Sequence, residues 1–272
     1  MPYAKLSFLR VLTCLVLVAL AFVSSAFAHP ADDFCTPDSG MDPALCRALA
    51  DLDSADVTVP VEEDKRFGRT PEVTERPWAE TFGIYVQIGI GHILPGGLDH
   101  ILFVLALVVS TTGLKRLALQ ISAFTAAHTV TLALAALGVV APPSYIVEPL
   151  IAATIAFVAL EAVWFREPPP WRVAMIFVFG LVHGLGFAGF FGALGLPDNQ
   201  FIAGLLGFNV GVEIGQLSVA LMALALLVFA TRLAGGSWGR EGTPRLIALP
   251  VALTIGAIGL YWTVDRVLSA LS

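Results

Sequence analysis

From Thr81 onward the chain runs through six apolar stretches, each about long enough to cross a bilayer: roughly 82–110, 117–140, 146–165, 172–194, 201–230 and 247–269. A span needs roughly 20 apolar residues to cover about 30 Å of hydrocarbon. Backbone N–H and C=O groups in lipid must be satisfied internally, which continuous stretches of this length do as helices. The connections are short and carry turn residues, as in Ala141-Pro142-Pro143-Ser144, Glu167-Pro168-Pro169-Pro170 and Leu196-Pro197-Asp198-Asn199. Only 13% of the 272 residues are charged, about half the share of a soluble domain. The expected fold is all-α: a polytopic membrane helix bundle of about six transmembrane helices over residues 81–272.

The first 28 residues read as a cleaved signal peptide. Lys5 and Arg10 precede an apolar run from Val11 to Val23, and Ala26-Phe27-Ala28 offers a small-x-small cleavage site. An uncleaved signal anchor, giving seven spans, is the alternative. Residues 29–80 form an acidic extracytoplasmic segment holding 13 of the 21 acidic residues. It contains Cys35 and Cys46, an even pair suited to a disulfide in an oxidising compartment. Lys and Arg in short loops set orientation. Lys115, Arg116, Arg166, Arg172, Arg232, Arg240 and Arg245 all fall in the odd-numbered loops. Those loops are therefore cytoplasmic, which puts residue 29 outside, as a cleaved signal also requires. The expected location is a bacterial-type inner membrane, with the mature N-terminus extracytoplasmic. The partners are the lipid bilayer and a metal ion; no basic run suggests nucleic acid.

Ionisable groups within lipid are costly and mark function by default. Of five histidines, four fall inside expected spans: His92, His100, His128 and His183. Asp99, Glu161 and Glu213 join them. On an unbroken helix His92 and Asp99 would share a face two turns apart. Pro95-Gly96-Gly97 lies between them, and such a break exposes backbone carbonyls of the kind transporters use for ions. Thr125, His128 and Thr129 share one helical face. Asn209, Glu213 and Gln216 form a polar stripe, in which Asn209 and Gln216 could equally serve interhelical hydrogen bonding, while the ionisable Glu213 points to function. The glycines around His183 read as packing. Imidazole and carboxylate together suit Ni, Zn, Co, Cu or Fe, with Ni, Co or Zn expected, and the absence of Cys and Met from this constellation argues against a soft Cu(I) path. The candidate metal ligands are His92, Asp99, His100, His128, His183 and Glu213. Thr125, Thr129, Asn209, Gln216 and Glu161 are the candidate supports around them.

Several segments resemble the HupE/UreJ family of membrane proteins. They are Gly91-His92-Ile93 through Gly97-Leu98-Asp99-His100-Ile101-Leu102-Phe103, Phe124-Thr125-Ala126-Ala127-His128-Thr129, Val147-Glu148, Phe179-Gly180-Leu181-Val182-His183-Gly184-Leu185-Gly186-Phe187-Ala188, and Phe208-Asn209-Val210-Gly211-Val212-Glu213-Ile214-Gly215-Gln216. The likeness covers about residues 81–266 and is closest to the branch with a longer extracytoplasmic leader. It implies a role akin to nickel or cobalt permeases, or to membrane accessory proteins of hydrogenase and urease maturation. Two positions depart from the family pattern: Ala162 stands where Asn is usual, and Thr129 where Ser is usual.

Three functions fit these residues. A divalent-cation permease would spread ligands along a path. An intramembrane metal-dependent hydrolase would hold its metal on three protein ligands and place a Glu as general base. A non-transporting membrane partner would serve metalloenzyme maturation proteins. The transporter-like function, rather than an enzyme, is the leading expectation.

Overall fold

The computed structural model describes residues 77–165, 169–186, 200–233 and 244–271. The signal peptide, nearly all of the acidic segment with Cys35 and Cys46, and the end of the fourth expected span lie outside the described residues.

Pro95-Gly96-Gly97 divides the first apolar stretch. A proline turns the residue before it away from the helical region, and Leu94 is extended, with φ −126° and ψ 112°. Helix α1 (Trp78–Ile93) ends there, and α2 (Leu98–Ser110) starts after the glycines. The Leu94–Pro95 peptide is cis, and the helices are bent by 72°. Gly97 permits the close return of the chain, because a Cβ there would collide with the His92 carbonyl.

Five further helices follow: α3 (Leu114–Ala136), α4 (Ser144–Trp164), α5 (Arg172–Gly186), α6 (Phe201–Leu233) and α7 (Arg245–Leu271). Helix α3 stops in a Schellman motif. Gly138 takes the left-handed conformation, φ 71°, while the Val139 N–H reaches the Leu134 carbonyl and the Gly138 N–H that of Ala135, both at 2.9 Å. The described residues are all helical or irregular. Four helices, α3, α4, α6 and α7, are long and apolar enough to cross a membrane, and the bent pair α1–α2 makes a fifth candidate. Helix α5 has 15 described residues, about 22 Å at 1.5 Å each, short of the roughly 30 Å of a hydrocarbon core.

The helices pack as glycine-mediated pairs. A Cβ on Gly89 would strike the Phe208 carbonyl, one on Gly207 that of Phe82, and one on Gly211 that of Val86. From Phe82 with Gly207, through Val86 with Gly211, to Ile93 with Gly215, residue numbers rise together along this seam, so α1 and α6 are parallel. Thr81 donates to the Gln200 side chain at the seam's start. Gly180 and Gly184 sit likewise against the Phe124 and His128 carbonyls, making α5 parallel to α3. Gly256 meets Leu160 and Gly259 meets Ala156, so α4 and α7 are antiparallel. These directions are the ones that alternating spans require. Small residues let backbones approach, and close packing is what holds helices together in lipid. Helix α2 lies among the pairs against α4, α6 and α7, with Phe103, Val104, Ala106, Leu107 and Val108 buried.

Gly184→Leu is expected to push α5 off α3. Overpacking of about 1–3 kcal/mol should lower the thermal unfolding midpoint by roughly 2–12 °C. Unfolding of the detergent-solubilised protein checks this, and an unchanged midpoint would contradict the close approach.

Candidate metal centre

The break in the first span places two histidines face to face. His92 lies in the last turn of α1 and His100 in the first turn of α2, and their ring centroids are 4.9 Å apart. His128 of α3 stands 5.8 Å from His100 and 6.3 Å from His92. One ring nitrogen from each of these three lies within 4.8 Å of the others. Metal–nitrogen bonds of about 2.0–2.1 Å in a tetrahedral site put nitrogens roughly 3.4 Å apart. Small ring rotations would therefore close all three on one ion. His183, in the last turn of α5, adds a fourth ring 5.1 Å from His100.

Hydrogen bonds orient two of these rings. The Asn209 amide donates to the Leu205 carbonyl at 2.7 Å, which leaves its oxygen to accept from His128 Nδ1 at 3.3 Å. The proton on Nδ1 leaves the Nε2 lone pair bare. Thr154 donates to the Ile151 carbonyl at 2.7 Å and accepts from His183 Nε2 at 2.8 Å, so the bare nitrogen of His183 is Nδ1. His128 Nε2, His100 Nε2 and His183 Nδ1 are buried and have no hydrogen-bond partner among the described residues. Unpartnered buried nitrogens are costly and call for an explanation. A metal ion would satisfy them, and a second-atom hydrogen bond is the usual support of a metal-binding imidazole.

Aromatic rings wall the cluster. Phe208 packs 5.4 Å from His92, Phe124 5.7 Å from His100 and 4.9 Å from His183, and Phe103 5.3 Å from His183. They keep water off the imidazoles, where electrostatic interactions are less screened.

The carboxylates are placed elsewhere. Asp99 is not one of the three grouped residues and pairs with Arg266 at 3.1 Å. Glu213 accepts from the Ser122 hydroxyl at 2.6 Å, on the outer side of the bundle. Glu161 is buried with Arg172 at 3.2 Å. Among the expected supports, Asn209 alone is hydrogen-bonded to a histidine of the cluster. Thr125 bonds Gln216 at 3.0 Å, and Thr129 bonds the Thr125 carbonyl at 2.7 Å. Thr154, Arg266 and the phenylalanines were not singled out from sequence. Arg266 had a usable signal, being a basic residue inside the last apolar stretch.

A family model described as HupE / UreJ protein matches residues 69–266. The chain belongs to that family. No curated protein and no solved structure matches it. The HupE/UreJ segments quoted above supply every ring of the cluster, from α1, α2, α3 and α5, together with Asn209 and Phe208 from α6. At the first departure, Ala162 packs against the apolar core. At the second, the Thr129 hydroxyl makes a bond to the backbone one turn back that serine could also make.

Proposed function

We propose that this HupE/UreJ protein is a permease for a divalent transition-metal ion of the nickel or cobalt type, seated in an inner membrane with its mature N-terminus outside. The observation that carries this is the convergence of His92, His100 and His128 from three helices, with one nitrogen each within 4.8 Å. The family's link to nickel and cobalt uptake or accessory roles supports it. Neutral imidazoles suit Ni, Co and Zn alike. Three nitrogens leave coordination positions open, so the ion can arrive and leave. His183 offers the next ring along the path.

A hydrolase would need a carboxylate beside the bound water. Asp99, Glu161 and Glu213 are instead engaged with Arg266, Arg172 and Ser122, which favours transport. The test is uptake into proteoliposomes, compared across Ni, Co and Zn. Saturable flux of at least one of them is expected. Metal bound without flux would replace the permease by a membrane accessory partner. Uptake should also fall as the outside solution is acidified, because protons compete with the metal for imidazole lone pairs. Flux that rises steadily with acid would contradict an imidazole site.

A further inference from the structure

The two ends of α2 are each held by an arginine, in different surroundings. At the C-terminal end Arg172 of α5 donates to the Ser110 carbonyl at 3.1 Å and to the Ser110 hydroxyl. It also pairs with Glu161, and the two side chains are 2% and 3% exposed. At the N-terminal end Arg266 of α7 donates through one nitrogen to both Asp99 oxygens, at 3.2 and 3.1 Å. Its other nitrogen reaches the Glu148 carbonyl of α4 at 3.0 Å. This second pair is 24% and 27% exposed. Asp99 is the residue next to His100. Its carboxylate, one residue along the chain from the imidazole cluster, is bound to a cation that belongs to the protein.

We propose that Arg266 is a tethered counter-cation that competes with the incoming metal ion for Asp99, so that loading the cluster frees the N-terminal end of α2 from α7 and α4. The inference rests on the metal centre proposed above. Guanidinium and a divalent cation seek the same carboxylate oxygens, and only one of them can hold both. A partly hydrated pair is weak enough to exchange, whereas the dry Arg172 pair is not. Released Arg266 keeps a resting place, because its guanidinium already lies 5.4 Å from the Trp262 ring centre. By the loop-charge orientation this end of α2 faces outside, where the ion would arrive. Arg266 is thus a positioning residue, acting on the metal through Asp99.

The experiment is Co²⁺ binding by calorimetry to the purified full chain in detergent. Arg266→Gln removes the competitor, and the Kd should fall about two- to fivefold, the range that an exposed ion pair commands. In an Asp99→Asn background the same change should have no effect, since the two substitutions act through one contact. An unchanged or weaker affinity in Arg266→Gln, or an equal effect in both backgrounds, overturns the proposal. A second measurement needs no variant. Modification of Arg266 in the wild type by an arginine-directed dicarbonyl, read by peptide mass spectrometry, should accelerate when Co²⁺ is added. A rate indifferent to Co²⁺ overturns the proposal even where Arg266→Gln does not fold. Arg266-dependent binding without flux in vesicles sinks the permease and leaves this inference standing. Flux with Arg266-independent binding does the reverse, and a wild type that binds none of Co²⁺, Ni²⁺ and Zn²⁺ sinks both.

Discussion

Replacing His100 or His128 with alanine is expected to weaken metal binding by more than about a hundredfold, with little change in folding. Losing a supporting partner of a metal ligand costs about 10–100-fold, and losing the ligand itself should cost more. His100 is the imidazole nearest to both His92 and His183, at 4.9 and 5.1 Å, so its loss opens the cluster in the middle. Alanine in its place leaves a void among Phe124, His92 and His128, but it also removes a buried nitrogen that has no hydrogen-bond partner among the described residues. These effects on stability oppose each other. Asn209→Ala provides the internal comparison: it leaves all ligands in place, frees the His128 ring to turn, and should fall in the 10–100-fold range. Titration of each purified variant with Co²⁺ measures all three. If His100→Ala and His128→Ala bind metal like the wild type, the imidazole cluster is not the site.

Much of this arrangement was legible in the sequence because its causes are local. Apolar length gives helices in lipid, and Pro95-Gly96-Gly97 marked where the first span breaks. The histidines stood out because imidazole in an apolar run has few other uses. The bend itself was not readable. A proline says that a helix stops, while the 72° angle depends on how α1 seats on α6 and how Gly97 meets the His92 carbonyl. Partner choice was not readable either. Asp99 and Arg266 are 167 residues apart, and helix periodicity says which face a residue takes without saying which helix will cover it. The metal ligands expected at Asp99 and Glu213 came from residue type and position along the span. The packing turns Asp99 toward α7 and Glu213 toward Ser122, and only the histidines share the centre. Thr154 carries no signal in the sequence, because a lone threonine in an apolar helix ordinarily bonds its own backbone. This one does so and accepts from His183 as well.

Arg172 illustrates the same limit from the other side, and its removal should have the largest effect on stability. Its position at the start of α5 made it one of the loop cations that set orientation. In the structure it is among the largest fully buried side chains, joining α5 to Ser110 of α2 and to Glu161 of α4. Breaking a buried ion pair by removing one partner costs about 3–5 kcal/mol, because the other charge is left unpaired away from water. Arg172→Leu leaves Glu161 in that condition and strands the Ser110 carbonyl. Glu161→Gln leaves the guanidinium charge unpaired but keeps its bonds to Ser110, so it should cost less. Native stabilities are only about 5–15 kcal/mol, so Arg172→Leu should yield little monodisperse protein in size-exclusion chromatography. The double variant Glu161→Leu with Arg172→Leu removes both charges and fills their space with apolar groups, an exchange that is often neutral. It should recover most of the yield. Recovery by the double variant, where the single one fails, identifies the loss as an unpaired charge rather than a missing shape. Full stability of Arg172→Leu alone would show that this ion pair does not hold α2, α4 and α5 together.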